Sequence, residues 1–222
     1  MKKVISALLC IAMLFSFASC KEKKENEVFC KADNGNISII SLKSANGVFV
    51  EKGNKDDVKN VATIIIKNNS DRMLEYGTIV FKVNDIERAE FIVSGLPAGE
   101  QCVVMETTAR PLEQDDKYTL NTTSTVFAYC DASTESEQYT LTVDGSTMKV
   151  TNNTDKPLTV KIAYKYLKDG MYYGGICFRG TFEAIAPHET MEKTSSRFDK
   201  DCKIVDIVAY DPTAQTMTEQ SK

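Results

Sequence analysis

Seven thiols and a single imidazole are the groups in this 222-residue chain best suited to nucleophilic or metal chemistry. Cys30, Cys102, Cys130, Cys177 and Cys202 stand in the body of the chain, Cys10 and Cys20 near its start, and His188 is the only histidine. A thiol becomes a nucleophile where a base or a positive field favours the thiolate. Any mechanism that needs an imidazole base must use His188. Cys177, His188 and Cys202 are therefore the residues whose convergence in space would make a thiol enzyme. Without that convergence each body cysteine reads first as a small buried hydrophobe and second as half of a disulfide. Five is an odd number, so at least one of them stays free or pairs between chains. No Cys-x-x-Cys is present, and one histidine does not supply zinc-site spacing, so neither a metal nor a cofactor is expected.

The carboxylates offer less. Asp115 with Asp116, and Glu87 with Glu90, are the candidate acid pairs, but a catalytic pair needs burial or charged neighbours that shift a pKa. These fall in polar loops or on an exposed strand and read as solvated charges. The turns Asn68-Asn69-Ser70-Asp71 and Asn152-Asn153-Thr154-Asp155 carry too few oxygens for calcium and read as turns that hydrogen-bond their own backbone. Both also fit the Asn-x-Ser/Thr glycosylation pattern. No nucleophile elbow, phosphate loop or dinucleotide fingerprint appears. As a candidate binding surface, Tyr172, Tyr173 and Arg179 follow the Asp169-Gly170 turn, and residues of these types dominate binding hot spots. Strand alternation sends one of two adjacent tyrosines inward.

The elements that must carry these residues are strands. Val61–Ile66, Gly77–Val83, Cys102–Thr107, Thr125–Cys130, Tyr139–Val143, Met148–Val150, Leu158–Leu167, Ile176–Phe182 and Lys203–Tyr210 are short, rich in β-branched and aromatic residues, and bounded by turn residues. Apolar residues at helical spacing are missing, so the fold class is all-β.

Comparison of the chain with itself shows an internal repeat. Asn68-Asn69-Ser70-Asp71-Arg72 recurs as Asn152-Asn153-Thr154-Asp155-Lys156, and Ile79-x-Phe81-x-Val83 as Ile162-x-Tyr164-x-Tyr166. Leu96-Pro97-Ala98-Gly99-Glu100 answers Ile185-Ala186-Pro187-His188-Glu189, which puts His188 where the first copy has Gly99, a turn position. Val126-Phe127-Ala128-Tyr129 matches Ile207-Val208-Ala209-Tyr210. Repeated short strands at this spacing suggest two tandem immunoglobulin-like antiparallel β-sandwiches. Residues 28–131 and 137–212 are expected to superpose as two domains joined through a linker at 132–136, with no sheet common to both, and with a loose tail over 213–222. The second copy, through Asn152–Asp155, Tyr164-Lys165-Tyr166-Leu167 and Ile185–Thr190, resembles the FxLYD-type small β-sandwich domains of bacterial lipoproteins, as does Phe81-Lys82-Val83-Asn84-Asp85 in the first. That resemblance implies an extracytoplasmic binding or spacer module with no assigned chemistry.

The start of the chain points the same way. Lys2 and Lys3 precede an apolar run from Val4 to Phe17 and then Ala18-Ser19-Cys20, the order of an export signal. The run is shorter than the about 20 residues a transmembrane helix needs. Phe17-Ala18-Ser19-Cys20 resembles the lipobox of bacterial lipoproteins, with Phe17 where leucine is usual, and the resemblance implies lipidation of Cys20 after removal of the signal peptide 1–19. Lys21–Glu27 is wholly polar and reads as a tether, so 20–27 is the anchored stretch. Two or more acyl chains hold such a protein at a membrane surface.

Composition narrows the partners. The net charge is −4, with 42% hydrophobic and 26% charged residues. Such a chain builds an ordinary core and has no electrostatic footprint for nucleic acid. The expected function is that of a non-enzymatic lipoprotein on the extracytoplasmic face of a cell membrane. It would act as a binding or spacer module for a protein, envelope polymer or glycan. The alternatives are an envelope hydrolase or redox enzyme using Cys177 and His188, and a solute-binding lipoprotein.

Overall fold

The computed structural model describes residues 28–51, 53 and 56–214. The signal segment, Cys20, the tether to residue 27 and the tail from 215 lie outside the described residues. In chain order the strands are β1 (Cys30–Ala32), β2 (Ile37–Phe49), β3 (Asp56–Asn68), β4 (Met73–Val83), β5 (Glu87–Leu96), β6 (Gln101–Met105) and β7 (Tyr118–Leu120). They continue as β8 (Val126–Cys130), β9 (Tyr139–Asp144), β10 (Thr147–Asn152), β11 (Leu158–Lys168), β12 (Met171–Ile185), β13 (Thr190–Thr194) and β14 (Cys202–Tyr210). The protein is all-β. No helix among the described residues is long and apolar enough to cross a membrane.

Both halves use one connectivity. In the first, β2–β3–β6 faces β5–β4–β8, with β7 also on β4; in the second, β9–β10–β13 faces β12–β11–β14. Alternation explains which side chains fill each space. Ile79, Phe81 and Val83 point inward from β4 to meet Ala89, Phe91 and Val93 from β5. Phe81 and Phe91 pack edge to face at 5.9 Å, a geometry aromatic rings favour. In the second core Tyr164 stacks on Phe178 at 5.8 Å and meets Phe198 edge-on at 4.9 Å.

The repeated asparagines hydrogen-bond the backbone of their own turns, as expected, and also pin those turns to neighbouring strands. Asn68 and Asn152 are both fully buried. The Nδ2 of Asn68 donates to the carbonyls of Arg72 (2.8 Å) and Leu96 (3.0 Å), and that of Asn152 to Lys156 (2.7 Å) and Ile185 (2.9 Å). Each Oδ1 accepts from the backbone N–H and hydroxyl two residues on, Ser70 in one half and Thr154 in the other. Each pin ties two strands to one loop and satisfies buried carbonyls that would otherwise each cost about 1–3 kcal/mol. Amides enclosed in this way are not glycan acceptors.

The expected independence of the two halves is corrected. A single seven-stranded sheet, β1–β2–β3–β6–β12–β11–β14, runs through both. It is joined where β6 pairs in parallel with the start of β12, Cys102 opposite Tyr172 and Val103 opposite Tyr173. Alternation reveals the faces of a strand and not which edge is left open for another, which is why the repeat alone did not show the join. The stretch 132–136 is also fastened: Ser133 N–H donates to the Asp206 carboxylate at 3.1 Å, and its carbonyl accepts from Ile207 N–H at 2.7 Å.

Candidate functional site at the junction of the halves

The junction is built around β12. Its first residues leave the Asp169-Gly170 turn, pair with β11 on one side and β6 on the other, and then bend past β5 before pairing with β11 again from Phe178. Two glycines make that path possible. A Cβ on Gly175 would lie 1.8 Å from the Ile92 carbonyl oxygen, and Gly174 has φ +87° with Val50 against it. Only glycine fits backbone this close and this left-handed.

Lys165 closes the junction from β11. It is 1% exposed, and its ammonium donates to four carbonyls: Ser94 (2.9 Å), Gly174 (2.9 Å), Gly175 (2.8 Å) and Ile176 (3.0 Å). An ammonium has three N–H groups, so one is shared. Burying a cation is costly unless its hydration is replaced. Here three carbonyls of its own half and one, Ser94, of the first half replace it, so the enclosed ammonium bridges the two. Glu51 completes the arrangement by accepting from Met105 N–H at 2.9 Å and Gly175 N–H at 2.7 Å. Burial pushes its carboxyl up, while those two amides and the Lys165 charge pull it back.

Cys102, Cys130 and Cys177 lie in this region, with no histidine beside them. All five described cysteines are free. Cys102 bonds the Gly174 carbonyl at 3.1 Å, and burial drives its thiol up to about 11. Burial also raises Cys30, Cys130 and Cys177, in the last case against the pull of Lys165 and Arg179. Cys177 Sγ lies by the Tyr164 carbonyl, and Cys202 Sγ by the Arg197 carbonyl. His188 is on the surface at φ +61°, its Nε2 2.9 Å from Asp155; Gly99, its counterpart, has φ +76°. The sequence trio Cys177, His188 and Cys202 is thus not brought together.

The acid pairs are also dispersed: Glu87 pairs with Arg110, Glu90 with Arg88, and Asp116 with Arg110. No group of three or more metal-ligating side chains occurs among the described residues.

Of the expected binding surface, Tyr172 is corrected: it is 1% exposed and packs into the first core. Tyr173 is half-buried, its hydroxyl bonded to the Val48 carbonyl at 2.9 Å and its ring beside Lys168. Arg179 remains exposed and lines two concavities at the junction. One, of about 260 Å³, is also lined by Glu75, Cys130, Lys161, Cys177 and Asp206. The other, a more open groove of about 540 Å³, is lined by Tyr76, Ser94, Tyr164, Phe178, Ser195 and Arg197, among others. Sequence reasoning missed Lys165, Glu51, Tyr76 and Arg197. Only the Gly174-Gly175 pair gave any sign that two backbones meet there.

No family model matches the chain, and no curated protein or solved structure matches it either.

Proposed function

We propose that the protein is a lipoprotein, anchored through Cys20 on the extracytoplasmic face of a membrane, that acts as a non-enzymatic binding module for an envelope polymer or another protein. The observation that carries the reading is the open groove at the junction. It gathers guanidinium, hydroxyl and ring from both halves, Tyr76 and Ser94 from the first and Phe178, Arg179, Ser195 and Arg197 from the second. Such groups recognise a surface. They do not include a base within reach of a nucleophile, which covalent catalysis needs. The export signal ending at Cys20 and the polar tether behind it support delivery of that groove to the outside of the cell.

The anchor is tested by expressing the full chain in bacteria and fractionating the cells. Wild type is expected in the membrane fraction, released by detergent, and Cys20→Ala in the soluble fraction or uncleaved. Equal partition of the two forms overturns the anchoring.

A further inference from the structure

The groove at the junction differs from the rest of the surface in one respect: its lining includes two guanidinium groups and no carboxylate. The chain as a whole is acidic, with a net charge of −4. Several of its other cations are paired: Arg72 with Asp131, Arg88 with Glu90, Arg110 with Glu87, Lys149 with Glu192. Neither Arg179 nor Arg197 has a carboxylate partner among the described residues. The acids of the junction, Glu75 and Asp206, line the neighbouring cavity, which Arg179 also borders.

Arg197 is also held in place for such a contact. Arg197 lies over the Phe178 ring at 5.6 Å, and that ring is fixed between Tyr164 and Tyr166. A guanidinium held on an aromatic face loses little freedom on binding, and that of Arg197 also lies against Gly53 of the first half. Arg179 follows Phe178 on the same strand and, by alternation, leaves from its other face, so the two guanidiniums flank the β12 edge. Tyr76, 43% exposed, supplies a flat apolar wall.

Backbone chemistry narrows the ligand further. Peptides captured on β-proteins usually add a strand and need open N–H and C=O groups. Along the inner wall of the groove those groups are taken: Cys177 N–H donates to Ser94 Oγ at 2.9 Å, and Lys165 takes the carbonyls of Ser94, Gly174, Gly175 and Ile176. What remains is side-chain chemistry: two forks for an anionic group, hydroxyls and a ring. A chain of sugar rings bearing carboxylate or sulfate groups matches that set and needs no backbone ladder.

The geometry points to Arg179 and Arg197 as the anion-recognising pair of a groove that binds an acidic polysaccharide. This rests on the reading of the protein as a binding module and gives it a ligand class. The test uses the full-length lipoprotein extracted in detergent, with polygalacturonate, dextran sulfate, neutral dextran and poly-L-glutamate as probes in a direct binding titration. Binding is expected to one or both anionic polysaccharides, to weaken with added salt, and to be absent for neutral dextran. Arg179→Gln and Arg197→Gln should each lower affinity about tenfold, the loss of one charge-assisted contact. Arg88→Gln, remote from the groove, should leave affinity unchanged, and unaltered melting of all three variants excludes unfolding as the cause.

Failure to bind either acidic polysaccharide, or binding that survives both groove substitutions, overturns the inference. Arginine-dependent binding of poly-L-glutamate alone overturns the polysaccharide assignment while leaving a binding module in place. Cell fractionation of Cys20→Ala judges the anchoring separately from any of these results.

Discussion

The two halves share a turn and differ in what lies behind it. Asn68 and Asn152 are buried alike and make the same bonds to equivalent carbonyls. The strands that follow are used differently. In the first half Lys82, on β4, stays in solvent. In the second half Lys165, on the corresponding strand β11, is enclosed, because β5 of the first half covers that face. The face of β11 carrying Ala163, Lys165 and Leu167 packs toward the first core while Ile162 and Tyr164 fill the second. A duplicated unit therefore keeps the local chemistry that sets its strand connections. It diverges on the outer face and open edge, where one copy meets the other.

The largest effect that can break this contrast comes from Lys165. Lys165→Met fills similar volume but leaves the carbonyls of Ser94, Gly174, Gly175 and Ile176 without a donor. At about 1–3 kcal/mol per stranded buried acceptor, partly relieved by relaxation, the expected loss is about 3–5 kcal/mol in chemical denaturation. Lys82→Met, on the exposed face of the first half, should change stability by less than about 0.5 kcal/mol. Equal effects at the two sites would mean that the junction is not held by this ammonium.

The second prediction sharpens the contrast by pH. Cys102 of β6 is driven up to about 11 from an ordinary 9.0, whereas β13, its counterpart in the second half, carries no thiol. A raised folded-state pKa means stability that is complete below pH 9.0 and lost as the pH climbs through about 11. Two units correspond to about 3 kcal/mol, and Tyr172, pushed up to about 12, adds to the loss at higher pH. Alkaline denaturation should therefore begin at the junction, seen as early hydrogen exchange in β6 and the start of β12. The slope should flatten in Cys102→Ala. An unfolding midpoint independent of pH between 9 and 11 in wild type would refute the assignment.

The same contrast shows what was legible in the sequence. The strand runs, the order of the repeated landmarks and the turn position of His188 could be read because each depends on neighbours within a few residues. The sequence reading names no strand over Ile37–Phe49, since Lys43–Gly47 interrupts the apolar pattern with polar and small residues. There β2 is held by its ladder to β3, with register shifts near Ile39 and Ala45. Lys165, flanked by Tyr164 and Tyr166, looks like the solvent side of a half-buried strand. It is buried because of a β5 carbonyl, Ser94, that lies 71 positions earlier in the chain. Arg197 gives no local signal at all. Its meaning depends on the ring it covers, and no spacing rule encodes that.

The smallest expected effect lies at the turn where the two copies chose different residues. Gly99 and His188 both hold left-handed backbone, φ +76° and +61°. For an L-residue with a Cβ that conformation costs about 1–2 kcal/mol, while glycine enters it without strain at an entropic cost of about 0.5–1 kcal/mol in the unfolded chain. His188→Gly should therefore be neutral or stabilising by up to about 1 kcal/mol. The Asp155 contact it removes is solvent-exposed on both sides and worth little. Gly99→His should move the other way by a similar amount. Because His188 is the only imidazole in the chain, the pair of substitutions also bears on chemistry. A retained fold with unchanged polysaccharide binding in His188→Gly agrees with a turn residue. A loss of binding or of any measured turnover, with melting intact, would show that the second copy recruited this position for more than its backbone.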